Sequence, residues 1–224
     1  MEPKATPLLQ QLRDEGSAVP YMHIFALLSS LKQICDHPAV YLKDAENYTC
    51  YESGKWDAFV ELLKEARESG QKVVVFSQFL SMLDIMASHL RSNNVGYAQI
   101  RGSTKRRGEE IDRFQQDQNC LVFLGSLQAA GLGIDLTAGS VVIHYDRWWN
   151  AARENQATDR VHRIGQNRGV MVYKLMTSNT VEERIDRMIV RKAQMLEDIV
   201  AYDDHQILKK MDRSELIELL QQFT

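Results

Sequence analysis

The sequence has little of what marks secreted or membrane proteins. Its 224 residues include three cysteines, Cys35, Cys50 and Cys120, which are too few and too scattered for a disulfide framework. Apolar runs such as Val73–Phe76 fall far short of the roughly 20 residues that a membrane helix needs. The first ten residues, MEPKATPLLQ, do not have the pattern of a signal peptide. These absences predict a soluble intracellular protein, with no membrane partner.

Strong charge of one sign is also missing. The chain carries 27 Lys+Arg against 30 Asp+Glu, for a net charge of −3. This balance excludes an overall basic coat for nucleic acid, although a local basic face remains possible. The remaining composition, 44% hydrophobic and 25% charged, is ordinary for a globular chain. The length predicts one large domain, or a domain with appendages.

Strand and helix patterns alternate through the middle of the chain. β-Branched runs too short for helices are typical of buried parallel strands, and amphipathic segments separate them. The predicted strands are KVVVF (72–76), YAQI (97–100), CLVFL (120–124), SVVIHY (140–145) and VMVYKL (170–175). The predicted helices between them are 56–66, closed by Gly70, then 81–90, 104–115 and 152–162. This order predicts an α/β fold, a parallel sheet with helices on both faces.

The two ends of the chain differ from this middle. Residues 1–20 are predicted to be a loose lead-in, followed by a helix over 21–35 that stops before Pro38 and a polar loop over 41–54. Thr180 and Glu183 predict a capping box that opens a helix running to about residue 202, and Asp212 and Glu215 predict a second box. We therefore divide the chain into a lead-in and helical segment (1–52), an α/β lobe (53–178) and C-terminal helices (179–224).

The segment QATDRVHRIGQ, residues 156–166, carries the most specific charge pattern. Arg160 and Arg163 stand three residues apart, so on a helix they project from one face. Two adjacent guanidinium groups suit a polyanion such as a phosphate chain. The alternative is a solvated basic helix face, and the pattern alone does not decide between the two.

A glycine-rich segment, SLQAAGLGIDLT, follows the third predicted strand at residues 126–137. Ligands of open α/β folds bind at the carboxyl ends of the strands, and glycine lets backbone amides approach an anion closely. Gly131 and Gly133 lack the third glycine of a dinucleotide site. The segment predicts a phosphate-facing turn, with a purely structural turn as the alternative.

Two adjacent tryptophans, Trp148 and Trp149, follow the fourth predicted strand. Side chains alternate along a strand, so both cannot face one core. We expect one of them to point outward between Arg147 and Arg153, where an aromatic ring could grip a nucleic-acid backbone or stack on a base. A half-buried tryptophan that fills a loop is the alternative.

The segment RGSTKRR, residues 101–107, ends a strand and opens a helix. Amides at a helix start bind anions, whereas cations there are normally unfavourable. Lys105 and the two arginines after it therefore predict an external phosphate backbone. Ser77 and Gln78, after the first strand, are expected at the same edge.

Three other features give weaker evidence for a functional site. Ser53–Lys55 is not a phosphate-binding P-loop, because the earlier glycine is missing and Trp56 follows the lysine. Cys35–His37 lacks a second pair of metal ligands, so no metal site is predicted. His144 and His162 are the available bases for an enzyme acting on a small phosphorylated substrate, and neither has a partner carboxylate at a useful spacing.

The ordered set of motifs resembles the second RecA-like lobe of the Swi/Snf-family ATPases, which are double-stranded DNA translocases of helicase superfamily two. The matching pieces are LKQICDHP (31–38), SGK (53–55), KVVVFSQF (72–79), RGST (101–104), SLQAAGLGIDLT (126–137), HYDRWWN (144–150), QATDRVHRIGQ (156–166) and YKLMTSNTVEERI (173–185).

The resemblance implies a role for each matching residue. Arg160 and Arg163 correspond to arginine fingers that reach ATP across a cleft between two lobes, and Gln156, Gly131, Gly133 and Asp135 correspond to residues near the nucleotide. The residues matching DNA-contacting positions are Ser77, Gln78, Gly102, Ser103, Thr104, Lys105, Ser126 and Trp149. The helix from Thr180 resembles a brace that packs toward the first lobe.

Departures and absences limit what the resemblance implies. Asp135 stands where Asn is frequent, Ala151 replaces a common proline, and Arg147 and Arg153 occupy places that are often apolar or neutral. The sequence has no GxxxxGK[ST] loop and no acidic pair for magnesium, which belong to the first lobe. We therefore expect ATP and magnesium to be held mainly by that lobe, and this chain alone to be inactive.

The expected partners are the first RecA-like lobe of the same protein, double-stranded DNA and a DNA-bound protein that the sequence does not identify. The compact spacing of the motifs favours a bacterial cytoplasmic, nucleoid-associated location over a nuclear one. A non-catalytic DNA- or protein-binding module derived from such a lobe is the second hypothesis.

Overall fold

The central part of the chain forms one five-stranded parallel sheet. A computed structural model describes residues 2–126, 133–162, 169–192 and 204–221. The strands are β1 (Val73–Ser77), β2 (Gly96–Ile100), β3 (Cys120–Ser126), β4 (Val141–His144) and β5 (Met171–Lys174). Their order across the sheet is β2-β3-β1-β4-β5, and every pairing is parallel. All five predicted strands are confirmed, and so is the α/β RecA-like fold class.

Helices lie on both faces of the sheet and at both ends of the chain. They are α1 (Glu2–Arg13), α2 (Tyr21–Asp36), α3 (Pro38–Leu42), α4 (Gly54–Glu68), α5 (Leu80–Ser92), α6 (Arg107–Gln116), α7 (Ala151–Thr158), α8 (Val181–Lys192), α9 (Asp204–Lys209) and α10 (Arg213–Leu220), with a 3-10 helix over Ala45–Cys50. Gly70, two residues after α4, has a φ of 63°, the left-handed conformation that glycine adopts freely. Among the described helices, none is long and apolar enough to cross a membrane.

Alternation along β1 divides the core into two layers. Val73 and Val75 pack with α4 and α5 on one face of the sheet. Val74 and Phe76 pack with α6 and α7 on the other face. β1 is buried along its whole length, as expected for the central strand of a covered parallel sheet.

A third hydrophobic cluster joins the two ends of the chain. We call it the helical cluster, and its buried members come from α1, α2, α8, α9 and α10, together with Trp149 and Met211. The predicted loose lead-in is wrong here, because Ala5, Leu9 and Leu12 line one face of α1 and are buried against this cluster. Packing outweighs the backbone bond that Pro7 costs inside the helix.

Several boundaries also differ from the predictions. The loop predicted over 41–54 contains the end of α3 and the 3-10 helix. The box predicted at Thr180 is wrong in detail, because its hydroxyl accepts from the amide of Glu182 at 3.3 Å and the Glu183 carboxylate accepts from Asn179 N at 3.0 Å. The second box is confirmed, with Asp212 and Glu215 each accepting from the other's amide.

Candidate functional site

The carboxyl ends of the strands bring the candidate residues to one edge of the sheet, which we call the carboxyl edge. Ser77 at the end of β1 is in register with Ser126 at the end of β3. Phe76 is in register with His144 on β4, and Ile100 of β2 with Gly125. Turns that follow these strands therefore start side by side, which is the position where parallel α/β sheets bind ligands.

The turn that carries Arg160 contacts the glycine-rich segment directly. The carbonyl of Arg160 accepts a hydrogen bond from Leu136 N at 2.9 Å. Helix α7 ends at Thr158, so Arg160 lies in the turn after the helix, and the expectation that it projects from a helix face is wrong. Gln156 is half-buried in the last turn of α7. Arg163 lies outside the described residues.

The described part of the glycine-rich segment is fixed by Asp135 and Gln115. Gly133 is exposed and has a φ of 68°, so any other residue there would be strained. The carboxylate of Asp135 accepts from Thr137 N at 3.1 Å. Gln115 on α6 donates to the Asp135 carbonyl at 3.0 Å and accepts from Ala138 N at 2.9 Å. Gly131 lies outside the described residues.

Ser77 and Gln78 bind a buried carboxylate instead of facing outward. Ser77 is fully buried, and its hydroxyl donates to Asp146. The Gln78 side chain donates to the same carboxylate at 2.8 Å, and its amide nitrogen does so at 3.1 Å. The Ser77 hydroxyl is therefore bound to Asp146, since a buried carboxylate requires such donors, and the assignment of Ser77 and Gln78 to DNA stays a prediction.

Asp146 lies at the carboxyl edge, and the sequence did not predict its role there. It is fully buried after β4, and Trp148 Nε1 also donates to it, at 3.0 Å. Burial raises the pKa of Asp146, although the charge of Lys32 and the hydrogen bond from Ser77 oppose the increase. The sequence did contain a signal for this role, because Asp146 directly follows a buried strand. A carboxylate that is buried there needs hydrogen-bond donors around it.

The expectation of an outward-facing tryptophan is also wrong. Trp148 is 1% exposed and Trp149 is 3% exposed. Trp148 packs on the face of the sheet that carries Phe76, whereas Trp149 packs into the helical cluster. Both rings are buried because residues 145–150 run between two separate clusters. An exposed ring for stacking on a base is therefore not formed at this position.

The segment after β2 forms a turn with exposed polar groups. Thr104 Oγ1 accepts from Arg101 N at 2.9 Å, and Arg107 donates to the carbonyl of Gly102 at 2.9 Å. Ser103 and Lys105 are exposed. Helix α6 begins at Arg107, three residues later than predicted, so Lys105 precedes the helix instead of standing in its first turn.

Ser126 and His144 are both interior residues. Ser126 is 4% exposed at the last position of β3. His144 Nε2 lies 2.9 Å from the Thr158 hydroxyl, and its ring stacks on Phe76. Burial lowers the pKa of His144 to about 4. The imidazole therefore serves packing, which argues against the rival hypothesis of an enzyme that uses His144 as its base.

Lys55, in the SGK motif, lies in a buried ion-pair site that we call the Lys55 site. Its ammonium group is 2.9 Å from Asp36 and 2.5 Å from Glu182 on α8. Burial lowers the pKa of Lys55, but the two carboxylates outweigh this effect and raise it above its usual value. Ser53 caps α4 by accepting from Trp56 N at 3.3 Å, so the motif has a structural explanation.

Arg147 forms a second buried ion-pair site, which we call the Arg147 bridge. Its guanidinium pairs with Glu154 on α7, and its Nε donates to Asp186 on α8 at 2.7 Å. Arg147 is 4% exposed, so its charge is paired with these two carboxylates inside the protein. Among the described residues, no group of His, Cys, Asp or Glu side chains is arranged to hold a metal ion.

Comparison with known proteins agrees with this geometry. The family described as helicase conserved C-terminal domain matches residues 54–165. The putative ATP-dependent helicase/translocase YwqA of Bacillus subtilis is 40% identical over 200 residues, which is 88% of this chain and 21% of that protein. The chain spans about a fifth of the length of such curated relatives.

Solved structures extend the likeness to nearly the whole chain. The Sulfolobus solfataricus SWI2/SNF2 ATPase core in complex with dsDNA is 34% identical with a TM-score of 0.77, over 97% of this chain and 46% of that chain. The C-terminal domain of the Sulfolobus ATPase is 31% identical with a TM-score of 0.72, over 97% of this chain and 90% of that chain.

A parallel RecA-like sheet, with the arginine turn bonded to the glycine-rich segment between β3 and β4, defines a helicase C-terminal lobe. The chain belongs to the family of helicase conserved C-terminal domains, and within it to the C-terminal lobes of the Swi/Snf type.

Proposed function

We propose that this chain is the second motor lobe of an ATP-dependent double-stranded DNA translocase. The observation that carries the proposal is the bond from Leu136 N to the carbonyl of Arg160. It holds the arginine turn against the glycine-rich segment, which lies in the connection that runs from β3 to β4. The lobe that corresponds to this chain in the Sulfolobus ATPase core is part of a complex with dsDNA, which supports the same partner here.

In this proposal, the arginine turn acts on a nucleotide that another lobe presents. Arg160 and Arg163 contact the γ-phosphate of ATP, and Gln156, Gly131, Gly133 and Asp135 lie beside the nucleotide. Guanidinium groups stabilise the charge of the transferring phosphoryl group in the transition state. They act only when the lobe that carries the phosphate-binding loop closes over the same nucleotide, so the chain alone is inactive.

The described carboxylates of this edge do not fit a magnesium site. Asp146 is buried and accepts hydrogen bonds from four donor groups of Ser77, Gln78 and Trp148. Asp135 is bound within its own turn. Magnesium prefers an octahedral set of oxygen ligands that includes several waters, so in this proposal the first lobe supplies its protein ligands.

DNA is proposed to run along the turn after β2. Gly102, Ser103, Thr104 and Lys105 offer small side chains, hydroxyl groups and one ammonium group, which suit phosphate contacts that carry no base sequence. A motor that moves along DNA requires such contacts, because base-specific bonds would hold it at one site. Ser77 and Gln78 support this edge through the buried carboxylate of Asp146, and Trp149 is buried in the helical cluster.

The test measures DNA-stimulated ATP hydrolysis and DNA affinity in the longest protein that the gene encodes. The same measurements are made in parallel on this chain alone. Arg160→Ala is expected to reduce DNA-stimulated ATP hydrolysis by roughly 10³-fold or more, while DNA affinity stays within about twofold. Arg67→Ala, an exposed arginine on α4, is the matched control and leaves both activities unchanged.

Lys105→Gln is expected to weaken DNA binding and to lower its salt dependence by about one ion.

Equal loss of hydrolysis and DNA binding in Arg160→Ala would contradict the proposal, because it would place Arg160 on DNA or in the fold. Strong DNA-stimulated hydrolysis by this chain alone would contradict the need for a first lobe. DNA binding without hydrolysis in the longest product would favour the binding-module hypothesis.

A further inference from the structure

Arg147 lies at the junction of three structural elements. It follows β4 at the carboxyl edge, and its guanidinium faces Glu154 on α7 and Asp186 on α8. The Nε–Asp186 distance is 2.7 Å, and Nη1 makes the pair with Glu154. One side chain therefore connects the helix that leads to Arg160 with the first turns of α8.

Glu154 is the part of this bridge that belongs to α7. It is fully buried, it accepts from Trp148 N at 3.0 Å, and it forms an ion pair with Lys174 Nζ at 2.9 Å. Burial raises the pKa of Glu154, but the charges of Arg147 and Lys174 outweigh it and lower the pKa below its usual value. Glu154 is therefore ionised at neutral pH, and its position depends on these donors.

The distance along the chain from Glu154 to the arginine turn is short. Helix α7 has eight residues and ends at Thr158, and Arg160 follows two residues later. Thr158 Oγ1 donates to the carbonyl of Glu154 at 3.1 Å. Because a helix this short moves as a unit, a displacement of Glu154 would displace Gln156 and the turn that carries Arg160.

We propose that Arg147 is a positioning residue that sets the arginine turn by bridging α7 to α8. This inference rests on the proposed function for its catalytic consequence. A buried guanidinium is costly unless it is paired, and apolar packing of similar size often stabilises a fold equally well. We therefore assign the bridge a geometric role, because a planar guanidinium can contact two carboxylates through two separate nitrogens and a single ammonium group cannot.

Arg147→Lys separates positioning from stability. Lysine keeps the buried positive charge, so we expect the urea midpoint to change little. It cannot contact Glu154 and Asp186 through two separate nitrogens, as Arg147 does. The kcat for DNA-stimulated hydrolysis in the longest product should therefore fall roughly 10- to 100-fold, as expected for a displacement of about 1 Å. The KM for ATP should stay within about twofold, because another lobe holds most of the nucleotide.

Amide hydrogen exchange provides a readout that does not depend on hydrolysis. In this chain, Arg147→Lys should accelerate exchange in both α7 and α8. The matched control is Arg191→Lys, which weakens an exposed pair between α8 and Glu218 on α10 and should leave α7 and kcat unchanged. Asp186→Asn should lower kcat as Arg147→Lys does, and the double variant should be far from additive because both changes break one bridge.

The outcomes distinguish this inference from the proposed function. Wild-type kcat together with wild-type exchange of α7 in Arg147→Lys would overturn the inference, even if Arg160→Ala abolishes hydrolysis. If no variant and no wild-type protein hydrolyses ATP, the proposed function fails, and exchange of α7 alone decides whether Arg147 positions it. A change in α8 exchange without one in α7 would also overturn the inference.

Discussion

β1 and β4 bury every residue that they contribute to the sheet, whereas the helical cluster is joined to the sheet through charged residues. Two carboxylates of α8, Glu182 and Asp186, stand one helical turn apart. Glu182 pairs with Lys55 and Asp186 pairs with Arg147, and both cations are buried. Apolar contacts tolerate small shifts, but buried ion pairs require defined geometry and complete partners. Burial of apolar surface therefore stabilises the sheet, whereas buried ion pairs fix the position of α8 against it.

The largest effect is expected where this attachment is most buried. Lys55→Met removes the cation and leaves the carboxylates of Asp36 and Glu182 buried without it. Removing one partner of a buried pair costs about 3–5 kcal/mol of the free energy of unfolding. Urea denaturation at pH 7 measures this loss.

Two companion variants sharpen that measurement. Arg191→Met breaks an exposed pair on the same helix and should cost less than about 1 kcal/mol. Lys55→Met combined with Asp36→Asn and Glu182→Gln should regain most of the stability, because the uncompensated charge is gone. A loss below 1 kcal/mol in Lys55→Met itself would show that the attachment does not depend on charge.

A somewhat smaller effect is expected from apolar packing at the start of the chain. Leu9 on α1 is 3% exposed within the helical cluster. Leu9→Ala should cost about 3 kcal/mol of the free energy of unfolding, from lost burial and the cavity left behind. Met22→Ala, at a side chain that is 65% exposed, is the control and should cost almost nothing. If Leu9→Ala and Met22→Ala had equal free energies of unfolding, residues 1–20 would be a loose lead-in, as the sequence predicted.

The contrast between the sheet and the helical cluster also explains which elements could be predicted. A run such as Val73–Phe76 encodes a buried strand by itself, because its β-branched side chains suit a pleat covered on both faces. Helix α1 carries prolines and charges, and its apolar face packs mainly against α10, about 200 residues away, and also against α2. Local patterns cannot show such a distant partner.

The same limit applied to the candidate site. The glycine-rich segment was predictable as a turn after a buried strand, whereas its bond to the arginine turn joins two segments that no local pattern connects. Trp149 and Ser77 were assigned to DNA because they follow strands. Their burial depends on what covers the edge, namely the helical cluster for Trp149 and Asp146 for Ser77. Asp146 and the Arg147 bridge were missed because a charged residue in a loop normally faces water.

The smallest effect that we argue concerns acid and the sheet, and it follows from His144. Burial lowers the pKa of His144 to about 4, from an ordinary value of 6.5. Between these values the unfolded chain binds a proton that the folded chain does not, so stability is complete above about pH 6.5 and falls as the pH drops toward 4. At pH 5 this amounts to about 2 kcal/mol. His144→Gln does not titrate, so wild type should lose about 2 kcal/mol more than the variant between pH 7.5 and pH 5 in urea denaturation. Carboxylates titrate in both proteins, so their contributions cancel in this difference. Equal losses would mean that the folded protein protonates the His144 imidazole and that water reaches this face of the sheet.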